Sequence, residues 1–302
     1  MDNDLDTLAT ALYVGTDDFL KAHPGLAPWR PAVGLAPRIT DAELLTVAVL
    51  QALLGYTSER RWLRHAASDL ARWFPYLPHQ SGYNKRLRKL GGTLQAVLAY
   101  LAANTGLWSD DVWVADSTPV ECGRSRETMR RSELAGWAEY GWCGSHSRWF
   151  WGLRLHLLCT LHGLPVGYAL TGAKADERET LTGILGATPA PVLPGQTIIA
   201  DKGYYGQGFE ADLAAAGITL LRPPRKGEKP RPGQHLLKPL RQVIESINAT
   251  FKTHLDLEAH GGRTAAGVTV RVLQRLLALT TAIWHNHNTG HRPLRSLTAY
   301  DH

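Results

Sequence analysis

Cysteine is scarce in this chain of 302 residues: Cys122, Cys143 and Cys159 are the only three, and no two of them form a CxxC pair. So few thiols, odd in number, exclude a disulfide framework and suit a reducing compartment. A long charge-free apolar run is also missing. The most apolar segment, Val268–Trp284, is interrupted by Arg271, Gln274 and Arg275, which argues against a membrane span. The opening residues Met1-Asp2-Asn3-Asp4 are acidic, unlike the basic start of a secretory leader. There is no internal repeat and no low-complexity segment. The expectation is a cytoplasmic protein without membrane contact.

What is present is an ordinary globular balance, 44% hydrophobic and 20% charged, with room for one large domain or two smaller ones. The net charge of +6 favours polyanionic partners only weakly by itself. Its clustering says more. Between Arg60 and Lys89 lie eight basic residues and one acid, Asp69. Between Arg222 and Lys238 lie seven, counting His235, against Glu228 alone.

Residues 1–103 read as helical. Thr40-Asp41-Ala42-Glu43 is a capping box, followed by Leu44, Leu45, Val47, Ala48, Leu50, Leu53 and Leu54 at helical spacing. A second helix runs from Thr57 or Ser58 to about Trp73, before Pro75 and Pro78. A third, from about Ser81, carries Lys85, Arg86, Arg88 and Lys89; a fourth follows Gly91-Gly92. Short helices with a basic third one fit a helix-turn-helix-like DNA-binding bundle. A solvated bundle face fits the same pattern.

From residue 111 the pattern becomes that of strands. Val112–Asp116 is the first, and a polar insertion fills 117–147. Trp149–Leu161 and Leu164–Thr171 alternate about a His162-Gly163 turn. A helix over Asp176–Ala187, a buried strand Thr197–Asp201, a helix Gly206–Ala216, a strand Ile218–Leu221 and helices Leu240–Leu255 and Thr264–Trp284 complete the order. The result is β-β-β-α-β-α-β-α, an α/β class with a mixed five-stranded sheet flanked by helices.

Two strands end in a carboxylate, at Asp116 and Asp201, where the functional crevice of an open α/β sheet lies. A third carboxylate, Glu245, shares one helical stripe with Arg241, Asn248 and Lys252. Alone, that stripe is a surface salt-bridge ladder. With the two aspartates it becomes a set of hard oxygen ligands suited to Mg²⁺ or Mn²⁺. Two such ions about 4 Å apart can serve an in-line phosphoryl displacement. Asp176 and Glu177 precede a helix, where acids favour its N-terminus, and read as structural. His156 reads as packed in the hairpin, and His285, His287 and His291 as tail rather than zinc ligands. Trp137 and Trp142, in the insertion, can stack on unpaired bases or pack in a core or interface.

These residues carry a resemblance. "ADSTPV" (115–120), the hairpin "WGLRLHLLCTLHGLPVGYALTGAKADE" (151–177), "IIADKGYYG" (198–206) and "RQVIESINATFK" (241–252, an R-x3-E-x6-K pattern) resemble the RNase H-like catalytic domain of DDE transposases of bacterial insertion sequences. "SDLARWFPYLPHQSGYNKRLRKL" (68–90) resembles the N-terminal region of the insertion-sequence 982 family. The tyrosine that the family places three residues before the arginine is Lys238 here.

The resemblance implies an all-helical DNA-binding region over 1–105 and an RNase H-like catalytic domain over 106–302. It makes Asp116, Asp201 and Glu245 the catalytic, metal-binding triad, holding two Mg²⁺ or Mn²⁺ ions. It gives Arg241, Lys252, Lys202 and Tyr204 to DNA near the cleavage site; Lys85, Arg86, Arg88 and Lys89, on the basic third helix, are the further candidate DNA contacts. It implies a transposase that binds terminal inverted repeats and target DNA as double strands, cleaves and transfers strands, works as a homodimer or higher oligomer, and joins the bacterial nucleoid when bound. A structure-selective RNase H-like nuclease and a catalytically idle, transposase-derived DNA-binding protein are the alternatives.

Overall fold

The computed structural model of the chain describes residues 3–31, 33–144, 147–231, 233 and 237–300. In chain order the helices are α1 (Asn3–Ala22), α2 (Asp41–Leu53), α3 (Glu59–Asp69), α4 (Gln80–Lys89), α5 (Gly91–Ala103), α6 (Arg126–Arg131), α7 (Glu177–Ala187), α8 (Gln207–Ala215), α9 (Leu237–Ala249) and α10 (Ala265–Thr289). The strands are β1 (Val112–Gly123), β2 (Glu139–Cys143), β3 (Arg148–Thr160), β4 (Pro165–Gly172), β5 (Thr197–Ile199) and β6 (Thr219–Leu221). The chain divides into two compact units, Met1–Leu101 with Phe251–His302, and Ala102–Thr250.

The first unit is helical. The expected capping box opens α2: Thr40 Oγ1 accepts from the Glu43 amide at 3.1 Å, and Glu43 Oε2 accepts from the Thr40 amide at 2.6 Å. Every residue of α2 except Glu43 is buried, so this helix is central. Its partners include α1, α4 and α10. By sequence position α10 reads with the sheet half; by its packing it belongs with α2.

The polar residues that interrupt α10 are inside this unit, and each has a partner. Arg271 pairs with Glu59 and donates to Gln274 Oε1 at 3.1 Å. Gln274 donates to the Ala48 carbonyl at 2.6 Å, and Glu59 also accepts from Asn84 at 2.8 Å. Such a pair is tolerable because its leftover donors and acceptors are satisfied. By length and mean hydropathy, 1.3, α10 could cross a membrane, yet 83% of that stretch is buried within the protein.

Among the described residues the second unit holds six strands, not the expected five, in the order β2-β3-β1-β5-β6, with β4 also on β3. β1 is antiparallel to β3, β3 to β4, and β1, β5 and β6 are mutually parallel in sequence along the sheet. The extra strand lies in the supposed insertion: β2 pairs Glu139–Cys143 with Gly152–Arg148 of β3. β1 also runs seven residues past Asp116, to Gly123. Pro119 lies within it without breaking a ladder, because β5 pairs only with Val112, Trp113 and Val114 and no strand needs an amide from Pro119 on that side.

Candidate active site

The register of β1 on β5 sets the two aspartates side by side. Val114 is level with Ile199, and Asp116 and Asp201 each stand two residues further along. Adjacent strands are about 4.8 Å apart. Beyond Ile199 the chain leaves the ladder, and Asp201 caps a 3-10 turn, Lys202–Tyr204, accepting from the Gly203 amide at 2.7 Å.

A further carboxylate joins them. Glu177, at the start of α7, accepts from Ser117 Oγ at 2.6 Å and stands 3.6 Å from Arg154 Nη1. A Cβ added at Gly203 would stand 2.9 Å from Asp201 Oδ1 and 3.1 Å from Glu177 Oε2. Glycine is therefore what lets the two acids approach the same point. Glu177 is not a mere helix-end charge; that role belongs to Asp176, whose Oδ1 accepts from the amides of Arg178 and Glu179 at 2.9 and 3.2 Å. Arg178 holds the Asp176 carboxyl down at about 2. The two acids adjoin in sequence, and only the packing of α7 reveals which one faces the aspartates.

The electrostatics follow. Burial pushes the Asp116 carboxyl up to about 6, although the Ser117 amide and the Asn248 side chain lower it; the charges of Asp201 and Glu177 raise it further. Asn248, on α9, donates to Asp116 Oδ2 at 2.5 Å. Glu245 is exposed one helical turn before Asn248, so both lie on one side of α9. All these acids offer hard oxygens, and negative charge outweighs positive around Asp116, which suits a divalent cation. Among the described residues, no three His, Cys, Asp or Glu side chains form a ready-made coordination group. That is compatible with Mg²⁺, which binds through one or two carboxylates, waters and substrate phosphates.

The expected DNA contacts fare differently. Lys202 is exposed. Tyr204 is buried at 2% exposure, its phenol raised well above 10 by burial and by Glu177, Asp116 and Asp201; it belongs to the floor of the acidic cluster. Arg241 lies on α9, with its side chain outside the described set. Lys252 sits half-buried in a π turn, Thr250–His254, that directly follows α9. In the helical unit Lys85, Arg88 and Lys89 are exposed on α4. Arg86 is committed elsewhere: it donates to the Ile39 carbonyl and to Asp41 Oδ1, both at 2.8 Å. His235 lies outside the described residues.

Arg154 extends the cluster towards β2. Its Nη1 donates to Ser117 Oγ and its Nη2 to the Trp142 carbonyl, each at 3.1 Å. Trp142 and its cross-strand partner Trp149 are exposed and meet edge to face, 5.5 Å between ring centres. His156 is buried, bonded to Thr171 Oγ1 at 2.9 Å, and His285 is bonded to Tyr300 at 2.8 Å.

An aspartate on β1 and another just past the end of the parallel neighbour β5, with a helix bonded to the first, define a mixed α/β domain built around a carboxylate cluster. A family profile described as the transposase DDE domain matches residues 107–281, from just before β1 into α10, and the chain belongs to that family of DDE transposases. No curated protein matches it.

Proposed function

We propose that the chain is the transposase of a bacterial insertion sequence, akin to the insertion-sequence 982 family, acting on the terminal inverted repeats of its own element. The reaction is hydrolysis of a phosphodiester at the element's end, freeing a 3′-OH, and transfer of that 3′-OH to target DNA. The observation that carries this reading is Asp116 on β1 feeling the charge of Asp201, which stands two residues past the end of the parallel strand β5, with α9 bonded to Asp116 through Asn248.

Asp116, Asp201 and Glu245 would hold the two Mg²⁺ or Mn²⁺ ions. Such ions, when bound, lower the pKa of the attacking hydroxyl and neutralise charge on the leaving oxygen. The protein's own residues do the placing. Asn248 fixes one oxygen of Asp116, and Ser117 and Arg154 fix Glu177. Lys85, Arg88 and Lys89 supply phosphate contacts from the helical region, and Lys202, Arg241 and Lys252 supply them nearer the cleavage site. The protein works as a homodimer or larger assembly on DNA, in the bacterial cytoplasm.

The test pairs a gel shift with a Mg²⁺-dependent nicking assay on element-end DNA, using Asp201→Asn. The variant should bind and fail to nick, because phosphate contacts elsewhere supply affinity. Wild-type-like nicking would reduce Asp201 to a turn-capping residue.

A further inference from the structure

The basic segment after β6 has no role in the cluster, yet it is built with care. Arg222 is buried to 2% exposure at its base. Its guanidinium donates to Glu210 Oε1 from Nε at 2.9 Å and from Nη2 at 2.7 Å, and to both oxygens of Glu228 at 2.8 Å. It also reaches the Pro223 carbonyl at 3.1 Å. Arg231 closes the far side on Glu210 Oε2 at 2.6 Å. Glu228 accepts the Arg225 amide at 2.5 Å, and Arg222 holds its carboxyl down at about 2.

This knot uses up the acids within reach. Two arginines and two glutamates neutralise one another inside the loop. Arg225, Lys226 and Lys229 are left exposed, without a side-chain ion pair among the described residues. Arg225 among them has a fixed seat. The Arg225 guanidinium lies 3.6 Å from the centre of the Tyr205 ring. The Tyr205 carbonyl accepts from Arg178 Nη1 at 3.1 Å. Tyr205 closes the turn that Asp201 begins, so Arg225 is anchored to the segment that carries Asp201. A flat guanidinium on an aromatic face keeps its edge donors for a phosphate.

We propose that residues 222–231 form a phosphate clamp, folded around Arg222, that grips the backbone of duplex DNA as it passes Asp201. The inference rests on the reading of DNA as substrate and adds the surface that positions it. Arg225, Lys226 and Lys229 make the contacts. Arg222, Glu210 and Glu228 are positioning residues that keep the loop in shape.

The test is duplex binding by the full-length chain, measured by fluorescence anisotropy against salt, with a short DNA duplex as probe. Each lost phosphate contact should flatten the slope of log affinity on log salt by about 0.9. The triple variant R225Q/K226Q/K229Q should therefore lose about 2–3 units of slope. Glu228→Gln makes the protein more positive, as does Glu133→Gln at an exposed site outside the loop. Loosening the knot should nevertheless weaken binding several-fold in Glu228→Gln, while Glu133→Gln binds as tightly as wild type or tighter. An unchanged slope in the triple variant, or equal affinities for the two glutamine variants, would overturn the clamp and leave the transposase reading standing. A wild-type chain without duplex affinity would remove both.

Discussion

Asn248 donates to Asp116 Oδ2 at 2.5 Å, joining α9 to β1 across 132 positions of sequence. The bond leaves the Asp116 carboxylate one oriented face. Asn248→Ala removes a hydrogen bond to a charged group, worth about 1.5–3 kcal/mol. Strand nicking should drop roughly tenfold to a hundredfold, with duplex binding retained. A single-turnover nicking rate within twofold of wild type would mean that Asn248 only packs.

The basic residues of α4 divide into two kinds. Neutralising Lys85, Arg88 and Lys89 together should flatten the salt dependence of DNA binding and leave the melting temperature in place. Arg86→Ala should do the reverse, costing about 1–2 kcal/mol of stability, since Asp41 keeps Arg30 at 2.5 Å but Ile39 loses its donor. Denaturant melts beside anisotropy would separate the two. A destabilised triple variant would contradict the assignment.

His156 predicts an acid limb in stability. Burial, then the charge of Arg154, depresses its pKa to about 4. The folded state therefore keeps it neutral, while the unfolded chain takes up a proton below about 6.5. Stability is fully present above that value and falls, by up to about 3 kcal/mol, as pH drops towards 4. His156→Gln should flatten this limb of a urea-melt series. An unaltered limb would place the acid sensitivity elsewhere.

Glu177 should be felt by Asp116. Glu177→Gln keeps an acceptor for Ser117 and removes one charge that raises Asp116. In metal-free protein the Asp116 midpoint, followed by carbon-detected NMR, should move down from about 6. A midpoint that stays put would separate Glu177 from the cluster.

Much of the fold is legible because its physics is local. The hairpin β3–β4 alternates about a glycine turn, α2 has its capping box, and β5 is an apolar run ending in a carboxylate. β2 is not legible: its large side chains, Tyr140 and Trp142, face solvent and only Gly141 and Cys143 turn inward, so the strand shows little of its core face and pairs along the part of β3 that β4 leaves open. Glu177 is missed for a related reason. Its neighbour Asp176 satisfies the helix-cap pattern, and only tertiary packing of the start of α7 brings Glu177 to Gly203. Arg86 looks like its basic neighbours until tertiary contacts commit it to Asp41. Packing of α10 on α2 depends on partners more than two hundred positions away, as between Gln274 and Ala48.

The helical unit is assembled from residues on both flanks of the sheet unit. On the ribosome, α1 to α4 emerge first but stay without α10 until the whole sheet unit has been translated. The buried Glu59 gains its Arg271 partner only then. A message truncated anywhere before α10 therefore yields a chain whose Glu59 lacks its countercharge, so a partial product has no sound helical unit.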